Sequence, residues 1–412
     1  MRKSFTILTA ILVCVLTMMG GAWRAKALTP ESSSIVPPVA LSPLDLAARM
    51  VQAKQLLQLT SSVSTKNVEL AVLDPQSAQL NILSLSKDEF LTRDAMLSAT
   101  TSTGRRVEVH VIRANGVNTA VDVIDIESHQ PLVPLVVQFP IVKNGGISEV
   151  AYYTAAHPAL LSPQLTSNGQ SYIRTMLDHA AASLTAQGES VPSDIVDVAE
   201  HLCVVEHTDH KRFMTEDHAA LFPEILALYA LNEGNTFRYS VSTAGAGGMI
   251  QMIPRTYDGI RQQHKNVSLN SEFVSGMRDH ANALEAMLLY MNDTWTGLAK
   301  NPEVQDALKS GIATKAELLA AGYNSNPMRL PGYLKDGGAE WRTRIPAETQ
   351  IYLKIYSGVE NTLHLTSVQT SESDGSSASN GLAISLDAGD SLSVVSWLRA
   401  PLFNSQIFAL FR

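Results

Sequence analysis

The stretch Leu231–Pro254, LNEGNTFRYSVSTAGAGGMIQMIP, changes character twice. It begins at the end of a helical pattern, Asp217 to Asn232, whose Leu221, Ile225, Leu228 and Tyr229 share one side. Gly234 stops that pattern, as glycine does just past a helix end. One carboxylate, Glu233, stands at the junction. The exposed carbonyls of a helix C-terminus disfavour a carboxylate there, so Glu233 is expected to be a weaker acid than usual. After a polar gap comes a run of small residues, Ser242 to Gly248, and then an amphipathic tail ending in Gln251 and Pro254. Small residues allow backbone to approach another molecule closely.

Upstream of this stretch, a second helical pattern starts at Ser193 with Ile195, Val198, Ala199, Leu202 and Val205 in phase. Glu206 ends it, four residues after Leu202, and so lies on the apolar face. A carboxylate in such a position is partnered, protonated or functional. Downstream, helical patterns cover about 277–292, 302–320 and 346–356. The region before residue 190 reads differently. After a short helical pattern from Ala47 to Leu59, β-formers recur at Val68–Leu73, Leu80–Leu85, Val107–Arg113, Thr119–Ile126 and Leu132–Phe139. Asn115-Gly116 is a hairpin signal between two of them. The expected architecture is therefore α+β, with a β-containing N-terminal domain at 28–190 and a mainly helical domain at 191–358. A Ser-rich linker and apolar tail follow at 359–412. The tail residues Trp397, Leu402, Phe403, Phe408 and Phe411 fit a core or a protein contact.

The first residues have their own logic. Arg2 and Lys3, an apolar run from Phe5 to Met19, and Ala25-Lys26-Ala27 form the pattern of a secretory signal peptide over residues 1–27. A retained membrane anchor is the alternative, although the run is short for a span. The expected location is the periplasm or cell envelope. The chain has 31 Lys and Arg against 39 Asp and Glu. Removing Arg2, Lys3, Arg24 and Lys26 leaves 27 cations against the same 39 anions, a net charge of −12. Such a surface argues against nucleic acid as a partner. Cys203 is the only cysteine after residue 27, so no intrachain disulfide is available, and its apolar neighbours suggest burial.

Relative to Glu233, Ser242 stands at plus nine, Ala244-Gly245-Ala246 at plus eleven to thirteen, Gly248 at plus fifteen and Gln251 at plus eighteen. Ala321-Gly-Tyr-Asn-Ser-Asn-Pro327 and Pro346-Ala-Glu-Thr-Gln-Ile-Tyr352 follow in order. Together these elements resemble the catalytic domain of the lytic transglycosylases, the goose-lysozyme-like enzymes that cut peptidoglycan. The resemblance covers about 191–358. It implies a mainly α, lysozyme-like domain and non-hydrolytic cleavage of the MurNAc–GlcNAc β-1,4 bond, leaving a 1,6-anhydro end. It also implies one glutamate as general acid and base, glycan strands as substrate, and neither metal nor organic cofactor. Ser242, Gly248, Gln251, Tyr323 and Asn324 become candidate substrate-binding residues, with Ser242, Gln251 and Tyr323 as hydrogen-bond donors. Glu348 and Tyr352 are expected to hold the fold and pair locally.

Two glutamates compete for the acid. Glu233 has the right spacing, but Gly234 replaces the serine that follows the family's glutamate, and the aromatic is displaced to Phe237. Glu206 fits if a helix of about 27 residues has been inserted after it. Two other functions stay open, a hydrolytic muramidase and a non-catalytic glycan-binding scaffold. His201, Glu206, His207 and His210 also raise a metal reading, since His207 and His210 are three apart, but the HExxH spacing is absent.

Overall fold

The computed structural model describes residues 43–60 and 62–363. The proposed signal segment, most of the Ser-rich linker and the apolar tail lie outside them. The architecture is α+β. An opening helix, α1 (Pro43–Thr60), precedes β1 (Asn67–Leu73) and β2 (Leu80–Ser86). A single turn, α2 (Lys87–Phe90), leads to β3 (Met96–Thr100), β4 (Arg106–Arg113), β5 (Ala120–Asp125), β6 (Pro131–Lys143) and β7 (Gly146–Tyr153).

All pairings are antiparallel, in the order β2-β1-β6-β5-β4-β3, with β7 added on β6. A bridge between Leu83 and Thr101 brings the two ends of that order together, so the sheet curls into a small barrel. Alternation does the work. In β4, Val107, Val109 and Val111 are buried while their neighbours are not. With Val68, Leu70, Val72, Val123 and Phe139 they fill the interior, and Phe90 of α2 is fully buried with them. The outward residues Ala71 and Leu73 of β1 pack instead with Ala53 and Leu57 of α1. Asn115-Gly116 does join β4 to β5, through one 3-10 turn.

The helical part starts earlier than the expected boundary near 190. Residues 163–186 form α3 (Pro163–Ala186), capped by Ser162, whose hydroxyl accepts from the Leu165 N–H. Its Ile173, Leu177, Ala180 and Leu184 join the helical core, because their three- and four-residue spacing makes one stripe. Then follow α4 (Ser193–Val205), α5 (His210–Thr215), α6 (His218–Asn232), α7 (Pro254–Gln263), α8 (Phe273–Arg278) and α9 (His280–Leu298). The pattern read as one helix over 302–320 is two, α10 (Pro302–Lys309) and α11 (Lys315–Asn324). Gly311, at φ +69°, breaks it. The last two are α12 (Leu330–Gly337) and α13 (Ala347–Leu363), the latter running into what the sequence suggested was linker.

Helix α6 ties the two parts together. From Leu221 onward, Glu224 apart, it is apolar on nearly every side, as a largely enclosed helix must be. Phe222, Ile225 and Tyr229 enter the helical core, Leu228 the barrel interior, and Ala227 and Leu231 the layer under α1.

Candidate functional site

Glu206 caps the C-terminal end of α4, and its own N–H still bonds to the Leu202 carbonyl. Its Oε1 accepts a 2.6 Å hydrogen bond from the Tyr352 hydroxyl of α13. Burial raises its pKa to about 8; the Tyr352 hydrogen bond works against that rise, and the charge of Glu348 adds to it. The residue nevertheless keeps some exposure. With that pKa it holds its proton at neutral pH.

The next residue, His207, bonds through Nε2 to the Met249 carbonyl at 2.9 Å. The carbonyl can only accept, so Nε2 carries the proton. Burial depresses the His207 pKa to about 3, which keeps the ring neutral. The ring also stacks on Phe237, with centroids 3.5 Å apart and planes 8° from parallel. Tyr323 of α11 donates to the Ile250 carbonyl at 2.7 Å. Asn324 beside it accepts from the Thr349 hydroxyl of α13 at 2.8 Å. Four separate stretches of chain thus close a ring of hydrogen bonds: Glu206-His207 to the 249–250 loop, the loop to Tyr323-Asn324, and Asn324 through Thr349 and Tyr352 back to Glu206.

The loop itself is tightly specified. Gly248 sits at φ +71°, and a Cβ there would lie 2.3 Å from the Met277 carbonyl oxygen, so no other residue fits. Glu233, Phe237 and Gln251 also take positive φ, of 40°, 54° and 46°, without being glycine. The Gln251 amide donates to the carbonyls of Gly248 (2.8 Å) and Ser240 (3.2 Å). The donors expected to meet sugar at Gln251 and Tyr323 are therefore already engaged in shaping the loop. Ser242 differs. It is exposed, and its hydroxyl accepts from the Ala246 N–H at 3.1 Å, which leaves its own proton to give.

Both ends of the loop are anchored. Ahead of it, His280 donates through Nε2 to the Thr236 carbonyl (2.8 Å) and accepts at Nδ1 from the Tyr172 hydroxyl (2.8 Å). Burial lowers the His280 pKa to about 4, so it stays neutral. From the barrel, Glu149 of β7 accepts from the Tyr239 hydroxyl (2.5 Å) and Arg278 (3.0 Å), and pairs with Arg238 (3.3 Å). Tyr239 precedes Ser240, and Arg278 follows Met277, the residue that backs Gly248. No sequence signal marked Glu149, because its partners lie far along the chain.

Glu233 is elsewhere. It follows the last residue of α6 and lies exposed, and its carboxylate has no hydrogen-bond or ion-pair partner among the described residues. The 26 residues between Glu206 and Glu233 hold α5 and α6. Tyr352, expected to hold the fold and pair locally, donates to Glu206 itself. Glu348 is exposed, and its charge is felt at Glu206. Cys203 is buried. The imidazoles divide among separate tasks, His201 Nδ1 facing the Asp197 carbonyl at 2.7 Å. Among the described residues, no three His, Cys, Asp or Glu side chains gather to hold a metal, and no helix is long and apolar enough to cross a membrane. No family model, curated protein or solved structure matches the chain.

Proposed function

We propose that the chain is a peptidoglycan lytic transglycosylase of lysozyme-like helical architecture, with Glu206 as its general acid and base. The observation that carries this reading is the hydrogen-bonded ring. Three sequence elements that resemble the family's, far apart in the chain, meet one buried, protonated carboxyl. Under this reading α5 and α6 are an insertion after the catalytic glutamate, and His207 stands where the family has serine.

Cleavage of the β-1,4 bond needs a proton on the leaving oxygen. Glu206, with a pKa of about 8, holds that proton at neutral pH. As the C1–O4 bond breaks, the MurNAc acetamido oxygen attacks C1 and Glu206 becomes a carboxylate. The carboxylate then removes the proton of the 6-hydroxyl. O6 bonds to C1, the acetamido group is released, and Glu206 ends as it began. Tyr352 holds the carboxyl in place throughout and stabilises its ionised stage. Ser242, at the open side of the loop, offers a donor to the sugar.

A second reading has one observation behind it. Hydrolytic muramidases use a second carboxylate, and Glu348 is a carboxylate whose charge reaches Glu206. Digestion of purified sacculi followed by mass spectrometry separates the two. Anhydro ends are expected. Reducing ends alone would select hydrolysis, and no release from sacculi would end both. Export to the cell envelope is part of the proposal, since the substrate lies there.

A further inference from the structure

Beside the ring lies a groove of about 560 Å³, bounded by α7, α9 and the turn after α11. That volume falls within the roughly 300–1,000 Å³ of small-ligand sites. It shares a wall with the ring. Tyr290 lines the groove, donates to the Gly322 carbonyl at 3.2 Å, and meets Tyr323 edge-on at 5.7 Å.

Two glycines face this space from opposite helices, Gly259 of α7 and Gly297 of α9. A Cβ on either would meet no atom within 4 Å. Glycine weakens a helix interior relative to alanine. Neither position has a packing partner or a positive φ that requires it, so the room they leave is open to a visitor. The walls are aliphatic, from Ile260 and Leu298, and Met328 at the rim is 80% exposed. Of the charged lining residues, Asp293 is already held by His264 at 2.8 Å. Arg255 is exposed and has no acidic partner among the described residues.

We propose that this groove binds the stem peptide of the peptidoglycan strand whose sugar backbone lies at Glu206. The assignment rests on the proposed cleavage of that strand. Charge selects the peptide over further glycan. In a peptide-bearing strand the lactyl carboxyl is an amide and the sugars are neutral, so carboxylates are carried by the stem. An apolar groove with one unpaired guanidinium suits short alkyl side chains ending in a carboxylate.

The test compares the parent protein with Arg255→Ala and Gly297→Leu on two substrates, peptide-bearing strands and strands stripped of peptide by an amidase. Leucine at 297 fills the groove where space exists, and unchanged thermal melting verifies that both variants fold. The ratio of kcat/KM on peptide-bearing to stripped strands is expected to fall about ten-fold in each variant, through KM. An unchanged ratio, or equal loss on both substrates, overturns the assignment. If the parent cuts neither substrate, the cleavage reading fails, and the groove is then judged by NMR titration with a free stem pentapeptide. Saturable shifts at Gly259 and Gly297 that weaken in Arg255→Ala uphold it; their absence from the parent overturns it.

Discussion

The barrel and the helical part are of similar construction in their cores but opposite in what they bury beside them. The barrel interior is Val, Leu and Phe. Its carboxylates Asp74 and Asp125 are buried as well, but both pair with Arg105 and are held in their charged forms. Burial there makes a wall. The helical part also encloses Glu206, His207, His280 and Tyr352, every one shifted toward its neutral form. Burial there makes an acid. A chain gives up stability to keep a carboxyl from water, and Glu206 is such a carboxyl.

The contrast breaks most directly at Glu206. Glu206→Gln should lower turnover of sacculi by roughly 10²–10⁴-fold, the usual contribution of a general acid, while Glu233→Gln stays within about two-fold. The same variant should gain stability. A carboxyl whose pKa is raised on folding stabilises fully only below its unfolded value, near 4.5, and loses that contribution as pH rises toward 8. Glutamine has no such liability, so melting above about pH 5 should rise by a few degrees. Equal melting curves across pH would show that burial is not what shifts this carboxyl.

Tyr352→Phe sharpens the same point. Its hydroxyl favours the ionised carboxyl, so removing it should move the alkaline limb of the kcat profile above about 8 and lower kcat about ten-fold. A limb that moves downward would contradict the assignment. Glu149→Gln asks whether the wall serves the acid. Losing the charge that gathers Tyr239, Arg238 and Arg278 should cost about three- to ten-fold in kcat/KM, with Glu149→Asp intermediate. The smallest effect is expected at His264. Burial opposes its charged form, but hydrogen bonds to Asp293 and Glu189 outweigh that and raise its pKa. A raised His stabilises fully below its unfolded value, near 6.5, and loses that contribution as pH climbs through the folded value. His264→Gln should flatten the melting profile above pH 6 by about 1 kcal/mol.

Much of this was legible in the residues. Runs of β-formers located β1, β2, β4 and β5 within one or two positions and the start of β6, which runs on to Lys143, and helical spacing located α4 and α6 closely and α9 and α13 in part. Two strands escaped. β3 alternates but is only five residues long, and β7 alternates only over its last four residues, so neither carries a long enough signal. α3 carries so many Ser, Thr, Asn and Gln residues that its apolar stripe is thin and gives little helical signal. At the site, the small-residue loop and the segments after it could be read in order. The choice of acid could not. Spacing along the chain measures separation only where nothing is inserted, and α5 and α6 intervene. What distinguished Glu206 was crowding by Tyr352 and Glu348, residues more than a hundred positions away.

Helix α6 has a consequence for how this protein comes apart. With Leu228 in the barrel and Phe222 and Tyr229 among the helices, no cut through it leaves two whole pieces. Amides of the barrel strands and of α4 should therefore exchange with solvent at one common rate in native-state hydrogen exchange, as a single cooperative foldon. A protease given a fragment starting at Pro163 would meet an apolar face of α6, at Ala227, Leu228 and Leu231, that the intact chain buries.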